Sequence, residues 1–429
     1  MYLAYSALLA LVLILGSPYW LFEIVFHGKY RKGFLERLGR IPARLGKISG
    51  PTIWIHSVSV GEVLAMGELV RQLRAELPRH RVFVSTTTDT GQRLARERFG
   101  QENVFYFPLD FAFAVRGWLA VLRPELVVIA ETELWPNFLR AARRQGAKVA
   151  IVNARISDRS LLGYRRWKWL ITPIVRLPDI FLAQTEQDAH RLREIGAPRA
   201  RVLTTGNLKF DVPQPPTPAI VEELRRALTS AAPVWVCGST VEGEEPLLLG
   251  VFTNILANHA GAVMLLAPRH PQRFDYVESL LRELKLPFWR RSKWNGGPIR
   301  GGVLLLDSIG ELSALYALAD IAFVGGSLVP RGGHNIIEPA QHGAAILVGN
   351  HTENFREIVG LFQSRDAVRV VGPAELPLTL MQLIANDAER RALGQRAAET
   401  LRLQRGATER TLAQLKNLLA SNAPEVTRA

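Results

Sequence analysis

Thr52-Ile-Trp-Ile-His-Ser-Val58 is a short branched and aromatic run that stops at Ser59 and passes through Gly61 and Glu62 into a helical pattern. This is how a buried strand that turns into a helix reads. The pattern recurs along the chain. Strands are expected at 52–58, 81–85, 126–130, 148–152, 180–183 and 202–205, and again at 234–237, 262–266, 303–306, 321–324, 345–348 and 368–371. Strands alternating with amphipathic stretches predict parallel sheets covered by helices. Between the two series lies Asp211-Val-Pro-Gln-Pro-Pro-Thr-Pro218, with four prolines in eight residues, a semi-rigid extended linker. The expected fold class is α/β, with two Rossmann-like doubly wound domains at 29–210 and 221–429. The linker spans 211–220, and closing helices end the second domain. Ligands of such sheets sit beyond the carboxyl ends of the strands, so a cleft lined by strand ends is the place to look.

Outside this alternation, Leu3 to Leu15 carries no charge, and the segment from Trp20 to Phe26 is almost as apolar. Gly16-Ser-Pro18 interrupts it, so it spans a bilayer only by continuing through the proline, and otherwise lies in the interface. Lys29, Arg31, Lys32, Arg37 and Arg40 all follow the apolar stretch, whereas a cleaved signal peptide carries its charge before it. Residues 1–28 are therefore expected to anchor the chain to a membrane, with the rest on the cytoplasmic side. The 53 Lys and Arg against 39 Asp and Glu give a net charge of +14, which suits anionic partners of any kind. The single cysteine, Cys237, excludes an internal disulfide. It reads as core.

Several strand ends carry chemistry. Glu62 follows the first strand and could act as a general base; Ser59-x-x-Glu62 is equally a helix capping box. Glu131 and Glu133, in Glu131-Thr-Glu-Leu-Trp-Pro-Asn137, could bind sugar hydroxyls or steady charge in a transition state, or could merely offset a helix dipole. Thr86-Thr-Thr-Asp-Thr-Gly91 and Asn153-Ala-Arg155 hold equivalent positions and are as ambiguous. Lys209, in Gly206-Asn-Leu-Lys-Phe-Asp211, could reach a phosphate or carboxylate, or be a solvated charge. In the second half, Gly238-Ser-Thr240 offers backbone N–H groups, and Arg269, in Ala267-Pro-Arg-His-Pro271, offers a guanidinium for anionic oxygens. Gly325-Gly-Ser327 through Arg331-Gly-Gly-His-Asn335 to Glu338 combines four glycines with Arg, His, Asn and Glu, which suits a phosphate and a ribose diol. No ligand spacing for zinc, no Asp-x-Asp pair and no Gly-x-Ser-x-Gly elbow is present.

Taken in order, the motifs at 56–62, 131–137, 206–211, 238–240, 267–271 and 332–338 resemble those of the 3-deoxy-D-manno-octulosonic acid (Kdo) transferases. One departure is Val241, where that family often has His. The resemblance implies a GT-B glycosyltransferase that moves Kdo from CMP-Kdo to the lipid A precursor lipid IVA, inverting at the anomeric carbon and using no metal or other cofactor. The acceptor would go to the N-terminal half and the donor to the C-terminal half. It also implies Glu62 as base, with Glu131 and Lys209 as stabilisers of the transition state. Pro268, Arg269, Ile309, Gly310, Glu311, Asn335, Ile336, Ile337 and Glu338 become the nucleotide-sugar contacts. A UDP-hexose transferase or epimerase is the alternative enzyme. A nucleic-acid-binding protein is disfavoured, because basic and aromatic residues do not interleave as they do on base-stacking surfaces.

Overall fold

The computed structural model describes residues 2–26, 33–211, 218–228 and 233–421. They fall into two compact units. In the first, β1 (Thr52–His56), β2 (Arg81–Thr86), β3 (Val104–Tyr106), β4 (Pro124–Ala130), β5 (Lys148–Ala154), β6 (Ile180–Ala183) and β7 (Val202–Thr204) form one parallel sheet in the order β3-β2-β1-β4-β5-β6-β7. The chain steps outward from β1 to one edge, then returns to β4 and steps to the other. The topological switch therefore lies at the carboxyl ends of β1 and β4, where doubly wound sheets hold ligands. β1 is buried along its whole length, with Ile53 and Ile55 in one core layer and Trp54 in the other, as the two-residue period of a strand covered on both faces requires. Trp54 packs edge-on against Phe105 and Phe138, with centroids 5.2 and 4.7 Å away, and its Nε1–H donates to Ser85 Oγ at 2.7 Å.

The second unit repeats the plan. β8 (Val234–Thr240), β9 (Val263–Pro268), β10 (Phe288–Arg290), β11 (Gly302–Leu305), β12 (Ile321–Val324), β13 (Ala345–Val348) and β14 (Arg369–Val370) are all parallel, in the order β10-β11-β9-β8-β12-β13-β14. Its switch lies between β8 and β12. Each strand expected from sequence has a counterpart, and the Rossmann-like class is found twice. β3 and β10, each an edge strand of three residues, were not anticipated.

One expectation needs correcting. The expected domain 221–429 is not one unit, because the described residues from Gln404 to Ser421 belong to the first. Asp211 draws them there: its carboxylate accepts the N–H groups of Gly406 (2.8 Å) and Thr408 (2.5 Å), capping the helix Ala407–Ala420. Arg410 Nε donates to Thr205 O at 2.9 Å, and Leu412 and Leu415 join the core layer of Ile53 and Ile55. Of the expected linker, 212–217 lie outside the described residues. At Gly16-Ser-Pro18, where continuity was left open, one helix runs on from Tyr2 to Phe26. Pro18 has no N–H for the Ile14 carbonyl, and the Ser17 hydroxyl donates to that carbonyl instead, at 2.7 Å. Among the described residues, no helix is long and apolar enough to cross a membrane.

Candidate active site

At the switch point of the first unit, Ser59 caps the helix Val60–Glu76. The Glu62 N–H donates to Ser59 Oγ at 3.5 Å, while Glu62 Oε1 accepts the Ser59 hydroxyl at 2.9 Å and Glu62 Oε2 accepts the N–H of Val58, one residue before the cap, at 2.7 Å: a capping box shifted by one residue. The carboxyl is nonetheless pushed up to about 7. Burial is the main cause; the hydrogen bonds from Val58 and Ser59 oppose it, and the nearby charges of Glu131 and Glu133 add to it.

Glu131 follows β4 with a left-handed backbone, φ 56°, a conformation that costs a non-glycine residue energy. Its own N–H donates to Val152 O at 2.9 Å. One carboxylate oxygen lies 3.3 Å from Arg155 Nε and the other 3.5 Å from Lys209 Nζ. Glu131 thus ties the end of β5 to the turn Leu208–Asp211. Asn153, also left-handed at φ 53°, accepts the Leu208 N–H on its side-chain oxygen at 3.0 Å and so fixes the turn that carries Lys209. Glu133 is raised by burial and then by Glu131. The structure thus brings Glu62, Glu131, Glu133 and Lys209 together. The dipole-offsetting role open to Glu131 and Glu133 is filled by another residue: Asp110 accepts the Asn137 and Phe138 N–H groups of the helix Pro136–Arg144 at 3.0 and 2.8 Å. His56 lies fully buried beneath this site, stacked on Phe107 at 3.9 Å, and burial holds it down to about 3, so it is neutral and no proton carrier near pH 7.

In the second unit, four segments converge on Gly238 and Tyr316. A Cβ at Gly238 would lie 2.0 Å from Tyr316 Oη and 3.1 Å from Leu312, just past Glu311. The buried Tyr316 in turn feels the charge of Glu338. Pro268 ends β9, and the Arg269 N–H donates to Thr240 O at 2.8 Å. Asn335 bonds Glu338 Oε1 through Nδ2 (3.3 Å) and accepts the Ile337 N–H on Oδ1 (3.1 Å), while Ile336 and Ile337 are buried beneath. Burial raises Glu338, and Arg269 partly offsets this. His334 is held down to about 4 by burial, then by Arg269 and His270, so it adds no charge. Ile309 is exposed, Gly310 takes φ 94°, and Glu311 pairs with Arg291 Nη2 at 2.9 Å and with the Ser308 hydroxyl. Ser313 O lies 3.2 Å from His342 Nε2, tying the segment after Glu311 to the one after Glu338.

The sequence reading missed Glu244. This fully buried carboxylate accepts four backbone N–H groups, from Val241 (3.0 Å), Gly326 (2.8 Å), Ser327 (2.9 Å) and Leu328 (2.9 Å). It thereby clamps the Gly-rich loop onto the turn after β8. The adjacent Glu245 takes Arg273 through two bonds, at 3.1 and 2.9 Å. Two carboxylates opening an otherwise apolar helix, right after Gly243, were the available signal. Among the described residues, no group of three or more His, Cys, Asp or Glu is arranged to hold a metal ion.

Residues 32–212 match the family described as 3-deoxy-D-manno-octulosonic-acid transferase (kdotransferase). The chain is 35% identical over 402 residues to the 3-deoxy-D-manno-octulosonic acid transferase of Haemophilus influenzae, covering 92% of this chain and 93% of that one. It is 36% identical over 403 residues to the Bordetella pertussis protein of the same name, covering 89% and 91%. Among solved structures, a UDP-N-acetylglucosamine 2-epimerase from Listeria monocytogenes superposes with TM-score 0.57 at 15% identity, over 87% of this chain and 98% of that one. At that identity the likeness concerns the fold alone.

Proposed function

Because the chain belongs to the Kdo transferase family and is a glycosyltransferase, we propose that it moves Kdo from CMP-Kdo to lipid IVA at the cytoplasmic face of the bacterial inner membrane. In this reading Glu62 takes the proton from the acceptor hydroxyl. The freed oxygen bonds to the anomeric carbon of Kdo as the bond from that carbon to the phosphate oxygen breaks, and CMP leaves with the electron pair. Attack from the face opposite the phosphate inverts the configuration.

The observation that carries the reading is Glu62 itself. A carboxyl pushed up to about 7 is half ionised near neutrality, where a base both holds a proton well and is free to take one. Arg269, beside Glu338, offers fixed positive charge to the anionic donor, and Lys209, held by Glu131, is the fixed cation of the acceptor's unit, so the reading needs no divalent ion. The Gly-rich loop clamped by Glu244, with Asn335 to Glu338, takes the nucleotide. The test is to incubate the protein with CMP-Kdo and tetra-acylated lipid IVA, with chelator present, and weigh the products. A mass gain of one or more Kdo units on the lipid is expected. Transfer from a UDP-sugar in place of CMP-Kdo, or none without a metal, would refute it.

A further inference from the structure

Over Tyr2–Pro18 the N-terminal helix, Tyr2–Phe26, has two distinct sides. From Tyr2 to Pro18, the partly buried residues are Tyr2, Tyr5, Ser6, Leu9, Ala10, Leu13, Gly16 and Ser17, which share one side at 100° per residue. The opposite side carries only small and apolar residues, including Leu3 (88% exposed), Leu8, Leu11, Ile14 and Leu15. The partly buried side makes specific contacts at the start of the helix. The Tyr5 hydroxyl bonds to Asp110, the Ser6 hydroxyl accepts from Asn137 Nδ2 at 3.0 Å, and the Arg140 guanidinium lies 4.2 Å above the Tyr2 ring. These partners belong to the first unit and surround the start of the helix Pro136–Arg144, just after Glu131 and Glu133. The chain rejoins the same unit after the helix, at Gly33, which packs on Tyr106.

A helix that crossed a bilayer would carry its first turn to the far side, away from this unit. Here the first turn is docked on it. We infer that the N-terminal helix lies flat in the membrane interface, docked on the first unit by Tyr2, Tyr5 and Ser6, with its Leu3–Leu15 side immersed in lipid. This rests on the membrane reading of the proposed function and decides between its two forms. Lipid suits that side better than a second protein does. No polar group between Leu3 and Leu15 on it could fix a register, and Phe113, three residues after the Asp110 that holds Tyr5, is another exposed apolar side chain. Arg116, exposed one turn beyond Phe113, and the net charge of +14 complement an anionic leaflet.

The test uses the full-length chain and vesicles of phosphatidylcholine and phosphatidylglycerol. Wild type should float with the vesicles, and Leu11→Glu with Leu15→Glu should cut the bound fraction at least tenfold while leaving the thermal melting curve of the free protein in place. Ser6→Cys with Asn137→Cys should form a disulfide on vesicle-bound protein, since Cys237 is buried and will not compete. Wild type that stays with the soluble fraction overturns the membrane reading itself. Vesicle-bound protein that never forms the disulfide, though lipid-free protein does, leaves the membrane reading standing and overturns the flat helix. Lipid-free self-association abolished by Leu11→Glu would assign the apolar side to a second copy, and overturns it too.

Discussion

Glu62 shows how one side chain can satisfy two rules at once. It bonds back across the helix start to Val58 and Ser59, and it is a buried carboxyl pushed up to about 7 at the switch point of the first sheet. The two roles separate on substitution, because Gln closes a capping box as well as Glu does. Glu62→Gln should keep the helix start and lose transfer by about 10²–10⁴-fold, the usual contribution of a positioned base. Near-normal turnover would reduce Glu62 to a cap. The pH dependence has opposite signs for rate and stability. Only the ionised form accepts a proton, so transfer should rise as pH passes through about 7. Folding raises this carboxyl from 4.5, so its contribution to stability is full below about 4.5 and is lost as pH climbs toward 7. The Gln variant should therefore melt at a higher temperature than wild type at pH 8 and lose this difference at pH 4, which paired melting curves would check.

At the scale of elements, the clamps between loops and helices set the geometry, and they were the least legible part of the sequence. Glu244 gives each of its oxygens two N–H donors, so Glu244→Gln leaves two buried donors without an acceptor. A loss on the order of 2–5 kcal/mol is expected, read from urea unfolding, with weaker CMP binding in the fraction that folds. Asp211→Ala removes both caps from the helix Ala407–Ala420 and should cost about 1–2 kcal/mol, with earlier proteolysis around residue 405. The strands were legible because a strand buried on both faces leaves an unbroken branched-apolar run, as Thr52–His56 does. β3 and β10 were passed over, although β7 and β14, equally short edge strands, were read. Strand-end residues such as Glu131 stood out because a charge interrupts the apolar run there, although Glu131 also ties β5 to the turn Leu208–Asp211. Asp211 did not stand out. Its partners lie about 195 residues on, at Gly406 and Thr408, and a single sequence carries no trace of so distant a contact.

At the scale of the whole molecule, the two sheets share a plan and differ in their strand-end chemistry. The first gathers Glu62, Glu131, Glu133 and Lys209 around its switch, and the second gathers Gly238, Arg269 and the Gly-rich loop around its own. The first is rich in carboxylates and suits proton removal from a hydroxyl; the second is rich in backbone donors and suits a phosphate. The division of labour can be read directly by hydrogen exchange on the full chain. CMP at about 100 times its dissociation constant stabilises whatever binds it by about 2.7 kcal/mol, which slows exchange about a hundredfold in segments that open only after CMP is released. Protection is expected at 238–244, 268–270, 325–328 and 335–338, where N–H groups either meet the nucleotide or hang from Glu244. The amides at 57–62 and 131–135 should exchange as before, since no donor group is assigned to them. Protection spread evenly over both sheets would mean that the nucleotide is not confined to the second unit, and the assignment of acceptor to one sheet and donor to the other would fall with it.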